Sequence, residues 1–163
     1  MNWKSFALLG ALLFFLGAAV VIGTDPVRSF REDAPLPARY TEQLRRWQTT
    51  GPRSYAMVVE ARCECYGTPL EVEVSAGRVV AARRAVTRRK VPLDTPELSW
   101  RLLTVEDLFE ELAQGYKRRF DTVEVQYDAT YGYPALLKVD RSKDVEDDGA
   151  IAIVSEFRPF DRD

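Results

Sequence analysis

Nineteen consecutive uncharged residues, SFALLGALLFFLGAAVVIG from Ser5 to Gly23, constrain this chain more than any other feature. As a helix the run would rise about 28 Å, close to the thickness of a hydrocarbon core, and it has no polar face to turn toward water. The segment therefore reads as an uncleaved transmembrane anchor. It is longer than the roughly 7 to 15 apolar residues of a signal-peptide core and lacks a strong small-x-small cleavage site. Cleavage near Gly23 is the alternative and would export the remainder. Lys4 and the amino terminus favour a cytoplasmic N-terminus, against the pull of Arg28 and Arg31. The expected address is a single-pass position in the cell membrane with the C-terminal part extracytoplasmic.

With 163 residues in all, the chain has room for one domain besides the anchor. Residues 1–23 are the anchor or signal sequence and 24–37, with Pro26, Pro35 and Pro37, a tether; 38–160 are expected to form an extracytoplasmic α+β domain. Lys and Arg number 23 against 25 Asp and Glu, so no global positive charge invites nucleic acid. The chain has no histidine, which excludes Ser-His-Asp and Cys-His nucleophiles and the common zinc sites that use imidazole.

Periodicity supplies the elements. Tyr40, Leu44 and Trp47 place one apolar stripe on a short helix that ends before Gly51-Pro52. From Tyr55 the period becomes two, with Met57, Val59, Ala61, Cys63 and Cys65 on one side and Glu60, Arg62 and Glu64 on the other. Leu70, Val72 and Val74 alternate with glutamates, and Ala76-Gly77 turns the chain back through Val79 to Ala82. Residues 83–100 carry two prolines and no steady period, and read as a solvated connection. Thr104 is an expected N-cap with Asp107 at the capping-box position, ahead of Val105, Leu108, Phe109 and Leu112. Val123 to Tyr127, a Tyr131-Gly132-Tyr133-Pro134 turn, Leu137 to Val139, and Ile151 to Phe157 give three more strands. The expected fold is α+β: an antiparallel sheet of about five to six strands with two helices on one face, plus the N-terminal transmembrane helix.

Four groups of residues are candidates for chemistry. On a regular strand Cys63 and Cys65 would have Cα atoms roughly 6.5 to 7 Å apart, at the edge of disulfide geometry, so a bond needs a bend near Gly67 and Pro69. Packed thiols, a local disulfide, redox activity, a metal site completed by carboxylates, and pairing with another protein are all open for this pair. The acidic loop Asp140, Asp144, Glu146, Asp147 and Asp148 does not match EF-hand spacing and reads as a solvated hairpin end. The basic run Arg83, Arg84, Arg88, Arg89 and Lys90 would suit anionic headgroups or an acidic partner if it is not simply solvated. Tyr127, Tyr131 and Tyr133 surround one hairpin and would form a binding edge if exposed, or close the core if buried. There is no glycine-rich phosphate loop.

The order of several of these features is familiar. The Trp47 helix, Ser54-Tyr55, Cys63-x-Cys65, Gly77-Arg78-Val79, Thr104-Val105-Glu106-Asp107-Leu108-Phe109, Tyr127-Asp128, Tyr131-Gly132-Tyr133-Pro134 and Asp140 together resemble an uncharacterised family of bacterial exported, often lipoprotein, domains of unknown function. The resemblance spans most of Tyr40 to Phe157 and implies an extracytoplasmic α+β domain, without supplying an activity, catalytic residue or ligand. This chain lacks the N-terminal cysteine that carries the lipid in lipoprotein members, which favours the helical anchor. The expectation is a non-enzymatic binding or structural module of the cell envelope. It would take no cofactor and no nucleic acid, meet the membrane through its N-terminal helix, and engage an envelope protein or ligand. The rival is a thiol-dependent redox or metal-handling protein acting through Cys63 and Cys65; a carboxylate hydrolase stands behind both.

Overall fold

Alternation of apolar and charged residues from Tyr55 onward commits the chain to strands with two unlike faces, and the computed structural model assembles them into one six-stranded antiparallel sheet. It describes residues 34–62, 68–98, 102–146 and 148–160. The apolar run at 5–23, Cys63, Cys65, Trp100 and Asp147 lie outside them. Among the described residues no helix is long and apolar enough to cross a membrane.

The elements are α1 (Ala38–Thr50), β1 (Ser54–Arg62), β2 (Leu70–Ser75), β3 (Arg78–Arg84), a single 3-10 turn (Pro96–Leu98), α2 (Val105–Arg118), β4 (Thr122–Tyr127), β5 (Pro134–Asp140) and β6 (Ala150–Pro159). The sheet order is β3-β2-β1-β6-β5-β4, so the first and last strands meet at its centre and two consecutive meanders lie side by side. Helix followed by three strands occurs twice, as the periodicity implied.

One face of the sheet holds the core. Tyr55, Met57 and Val59 of β1, Leu70, Val72 and Val74 of β2, and Leu137 and Val139 of β5 pack with Tyr40 and Trp47 of α1 and Val105, Leu108, Phe109 and Leu112 of α2. Both helices thus cover the same face. A cluster of aromatic rings links α1 to the sheet. Trp47 meets Tyr55 edge-on at 5.5 Å, and Tyr133 stacks on Phe157 at 4.5 Å. Tyr40 sits edge-on to Phe109 at 5.8 Å and donates its hydroxyl hydrogen to the Phe109 carbonyl.

The start of α2 is fixed twice over. The Thr104 hydroxyl accepts from the Asp107 amide at 3.0 Å, and the Asp107 carboxylate accepts from the Thr104 amide at 2.8 Å. Tyr55 reaches up from β1 to accept from the Val105 amide at 2.9 Å, and donates to Glu106 Oε2. Glu106 Oε1 accepts from the Trp47 indole at 3.2 Å. One carboxylate therefore ties α1, β1 and α2 together.

A bulge in β6 governs the other face. Ala56 pairs with Arg158 and Val58 with Ser155, so Glu156 and Phe157 together oppose Met57, and Glu156 takes φ +51°. The extra residue sends Phe157 into the aromatic core and keeps Arg158 on the helix-free face beside Ala56. Without it the two would exchange faces.

Candidate functional site

Residues directly opposite in an antiparallel register share a face, which fixes what lies on the helix-free side. One row runs Ser155–Val58–Glu71–Arg83 and the next Arg158–Ala56–Glu73–Ala81. The alternation in β2 places Glu71 away from the apolar core, where a solvated side chain is the ordinary expectation, yet its side chain is 0% exposed. Three guanidiniums enclose it. Arg158 donates to Oε1 and Arg88 to Oε2, while Arg83 Nε stands 3.5 Å from Oε2 and Arg83 Nη2 donates to Glu73 at 2.5 Å. Burial by itself would push the Glu71 carboxyl up. The hydrogen bond from Arg158 and the charges of Arg83 and Arg88 outweigh it and hold the group below the usual carboxylate range. The arginine stems also cover this face, where Ala56 is 2% and Val58 8% exposed.

This network shapes the chain beyond β3. The Arg84 amide donates to the Arg89 carbonyl and the Arg88 amide to the Arg84 carbonyl, closing a tight loop in which Arg88 takes φ +60°. The return leg rejoins the sheet through a bridge between Arg83 and Lys90, with the Val91 amide donating to Ala82. The solvated connection expected over 83–100 is therefore corrected at its start. Arg83 and Arg84 belong to β3, and Arg83 and Arg88 are bound to Glu71, because the carboxylate they meet comes from another strand and no local pattern announces it.

The rest of the basic run has a different fate. Arg84, Arg89 and Lys90 line a cleft of about 620 Å³ together with Thr68, Thr87 and Thr95, and no acidic side chain among the described residues lines it. Arg84 Nη1 donates to the Thr68 hydroxyl at 2.7 Å, which orients that guanidinium within the wall. Arg89 and Lys90 are exposed. Three cations and three hydroxyls around one concavity form a donor-rich environment suited to an anion, with guanidinium forks that match carboxylate or phosphate oxygens. Among the described residues nothing in the cleft supplies a nucleophile with a neighbouring base.

The three tyrosines singled out from the sequence do not form one patch. Tyr133 is 6% exposed and packs on Phe157 and Trp47; burial, then the Asp128 charge, pushes its hydroxyl up to about 12. Tyr131 is half-buried against the same Phe157 at 5.6 Å. Tyr127 stacks instead on Phe109 at 6.3 Å, with the Arg39 guanidinium 5.6 Å from its ring centre. Its hydroxyl is buried beside that of Tyr116 and lacks a hydrogen-bond partner of good geometry among the described residues. The acidic loop is engaged in part. Arg141 donates to the Asp148 carbonyl and to Glu111, and the Lys143 amide to Asp121. Among the described residues no group of three His, Cys, Asp or Glu side chains is arranged to hold a metal.

A protein-family model, that of a family of unknown function (DUF6174), matches residues 39–159. The chain belongs to that family. The match begins at the second residue of α1 and ends with β6, so it covers both helices and all six strands. Neither the curated proteins nor the solved structures gave a match. Several residues that carried the family resemblance have structural duties. Asp128 accepts from the Thr130 and Tyr131 amides to close the β4–β5 turn, and Gly132 takes φ +79° where a Cβ would stand 2.7 Å from Gln43 of α1. The basic cleft was legible only as a charge run; which cations face it follows from Glu71.

Proposed function

We propose that this member of the family is a membrane-anchored, extracytoplasmic module whose work is binding rather than catalysis, and that the bound group is an anion held by Arg84, Arg89 and Lys90. One observation carries the reading: three cations line a cleft of about 620 Å³ that no acidic side chain enters among the described residues, while the two remaining arginines of the same run are committed to Glu71. Charges that merely kept the protein soluble would be expected to mix with the opposite sign. The apolar run at Ser5–Gly23 supports the anchor and 24–37 the tether, with 38–160 as the binding domain outside the cytoplasmic membrane. The rival thiol reading rests on Cys63 and Cys65, which lie outside the described residues.

The test is calorimetric titration of the intact chain, in neutral detergent, with inorganic pyrophosphate. Binding is expected that weakens with added salt and falls at least about tenfold in the Arg89→Glu/Lys90→Glu double variant. Equal binding by the double variant would place the anion elsewhere. No binding by the parent chain would remove the reading.

A further inference from the structure

Three large apolar side chains are conspicuously exposed among the described residues, and two of them flank the basic cleft: Val86 at 84% and Leu93 at 48%. Val86 lies in the cleft wall between Arg84 and Arg89 in sequence, and Leu93 follows Pro92 of the same wall. The third, Val145, is on the β5–β6 connection. A cleft shaped for a small soluble anion gains nothing from an apolar side chain held out in water beside it. A loop that presents cations together with outward apolar side chains has the composition of a surface that seats on anionic lipid, cations against the headgroup phosphates and apolar tips against the acyl boundary.

We infer that the segment from Arg84 to Leu93 docks the domain onto an anionic membrane surface, with Arg84, Arg89 and Lys90 on lipid phosphates and Val86 inserted among the headgroups. This rests on the anion-binding reading above and names the source of its anion. The loop is presented rigidly. Its two ends are tied by the Arg84–Arg89 and Val91–Ala82 hydrogen bonds, and Arg88 is held to Glu71, so little ordering is left for the moment of docking. Ala34 is hydrogen-bonded to Lys117 and Leu36 packs on the core, so the length left for a tether is the ten residues at 24–33, which fully extended would reach about 35 Å. Such tethering raises the local concentration enough for a weak contact to persist. An acidic protein would also satisfy the cations, but it gives no account of a valine 84% exposed at their centre.

The compact unit Glu32–Asp163 contains every core residue among the described residues, from Tyr40 to Val154, so it is expected to fold without the apolar run, and using it removes that run's own affinity for lipid. The experiment is co-sedimentation of this unit with vesicles of equal phosphatidylglycerol and phosphatidylcholine, and with phosphatidylcholine alone. Binding is expected to the mixed vesicles only. It should fall at least about tenfold in Arg89→Glu/Lys90→Glu, and about threefold in Val86→Ser, which removes the apolar tip without adding a charge. Both changes are at exposed positions and should leave thermal unfolding of the unit unchanged. If pyrophosphate binds but the vesicles do not, or if Val86→Ser sediments like the parent, the membrane inference is overturned and the anion-binding reading stands. Binding of a polyglutamate peptide in place of the vesicles would overturn the inference in favour of an acidic protein partner. Failure of both pyrophosphate and vesicles would overturn both.

Discussion

Glu71 commits Arg83 and Arg88 of the basic run to the fold, and it does so by being buried. Its two carboxylate oxygens take Arg158 and Arg88, with Arg83 nearby, and the arginines themselves are between 32% and 55% exposed. Replacing it by glutamine keeps the shape and removes the charge, leaving three guanidiniums that can partly rehydrate. Glu71→Gln is expected to cost about 1 to 3 kcal/mol in urea unfolding at neutral pH, below the cost of breaking a pair whose members are both buried. The pH dependence has a definite sign. Because the folded-state pKa lies below the unfolded value of about 4.5, the contribution of Glu71 is complete above that value and is lost as pH falls through the folded one. The parent should therefore lose more stability than Glu71→Gln on going below about pH 4.5, while their difference stays flat between pH 6 and 8. A variant as stable as the parent at neutral pH would mean that the network does not hold the loop. Nothing in the sequence marks Glu71: it occupies the polar position of an alternating strand, and its partners lie 12, 17 and 87 residues away.

Where the chain announces its elements, the signal lies within a few residues. The capping box at Thr104 and Asp107, the stripe Val105, Leu108, Phe109 and Leu112, and the Ala76-Gly77 turn are each local, and each stands as read. The β6 bulge is not local. Glu156 carries no preference for φ +51°, and the conformation is imposed by fitting Phe157 among Trp47, Tyr55 and Tyr133. Two glycines at element ends separate the kinds of constraint. Gly51 has an ordinary φ of -65°, but a Cβ there would stand 2.5 Å from the Trp47 carbonyl and 2.6 Å from its ring. Gly77 has φ +71° with its nearest neighbour 3.8 Å away. Gly51→Ala is expected to cost about 2 to 4 kcal/mol through displacement of Trp47, and Gly77→Ala about 1 kcal/mol through backbone strain alone. Chemical denaturation read by tryptophan fluorescence checks both, with an altered native emission spectrum expected only for Gly51→Ala. The reverse order would mean that Trp47 is not tightly seated against the end of α1.

Across the whole molecule the two faces of the sheet divide the work. The helix side carries the aromatic and aliphatic core, including Tyr133 and the ring of Tyr127, so the hairpin, which in sequence could serve as a binding edge or close the core, contributes much of its surface to packing. The helix-free side carries the Glu71 network, which sets the loop leading into the basic cleft. The fold was legible because apolar periodicity is written residue by residue. The cleft was legible only as five basic residues close in sequence, because their division between structure and ligand depends on strands that meet only in the folded sheet. The most direct measurement is a residue-resolved NMR titration of the Glu32–Asp163 unit with pyrophosphate. The account expects amide shifts concentrated at Thr68 and from Arg84 to Val91, absent from the Arg89→Glu/Lys90→Glu variant. Shifts centred on the Tyr131–Tyr133 hairpin, or no shifts at all, would contradict it.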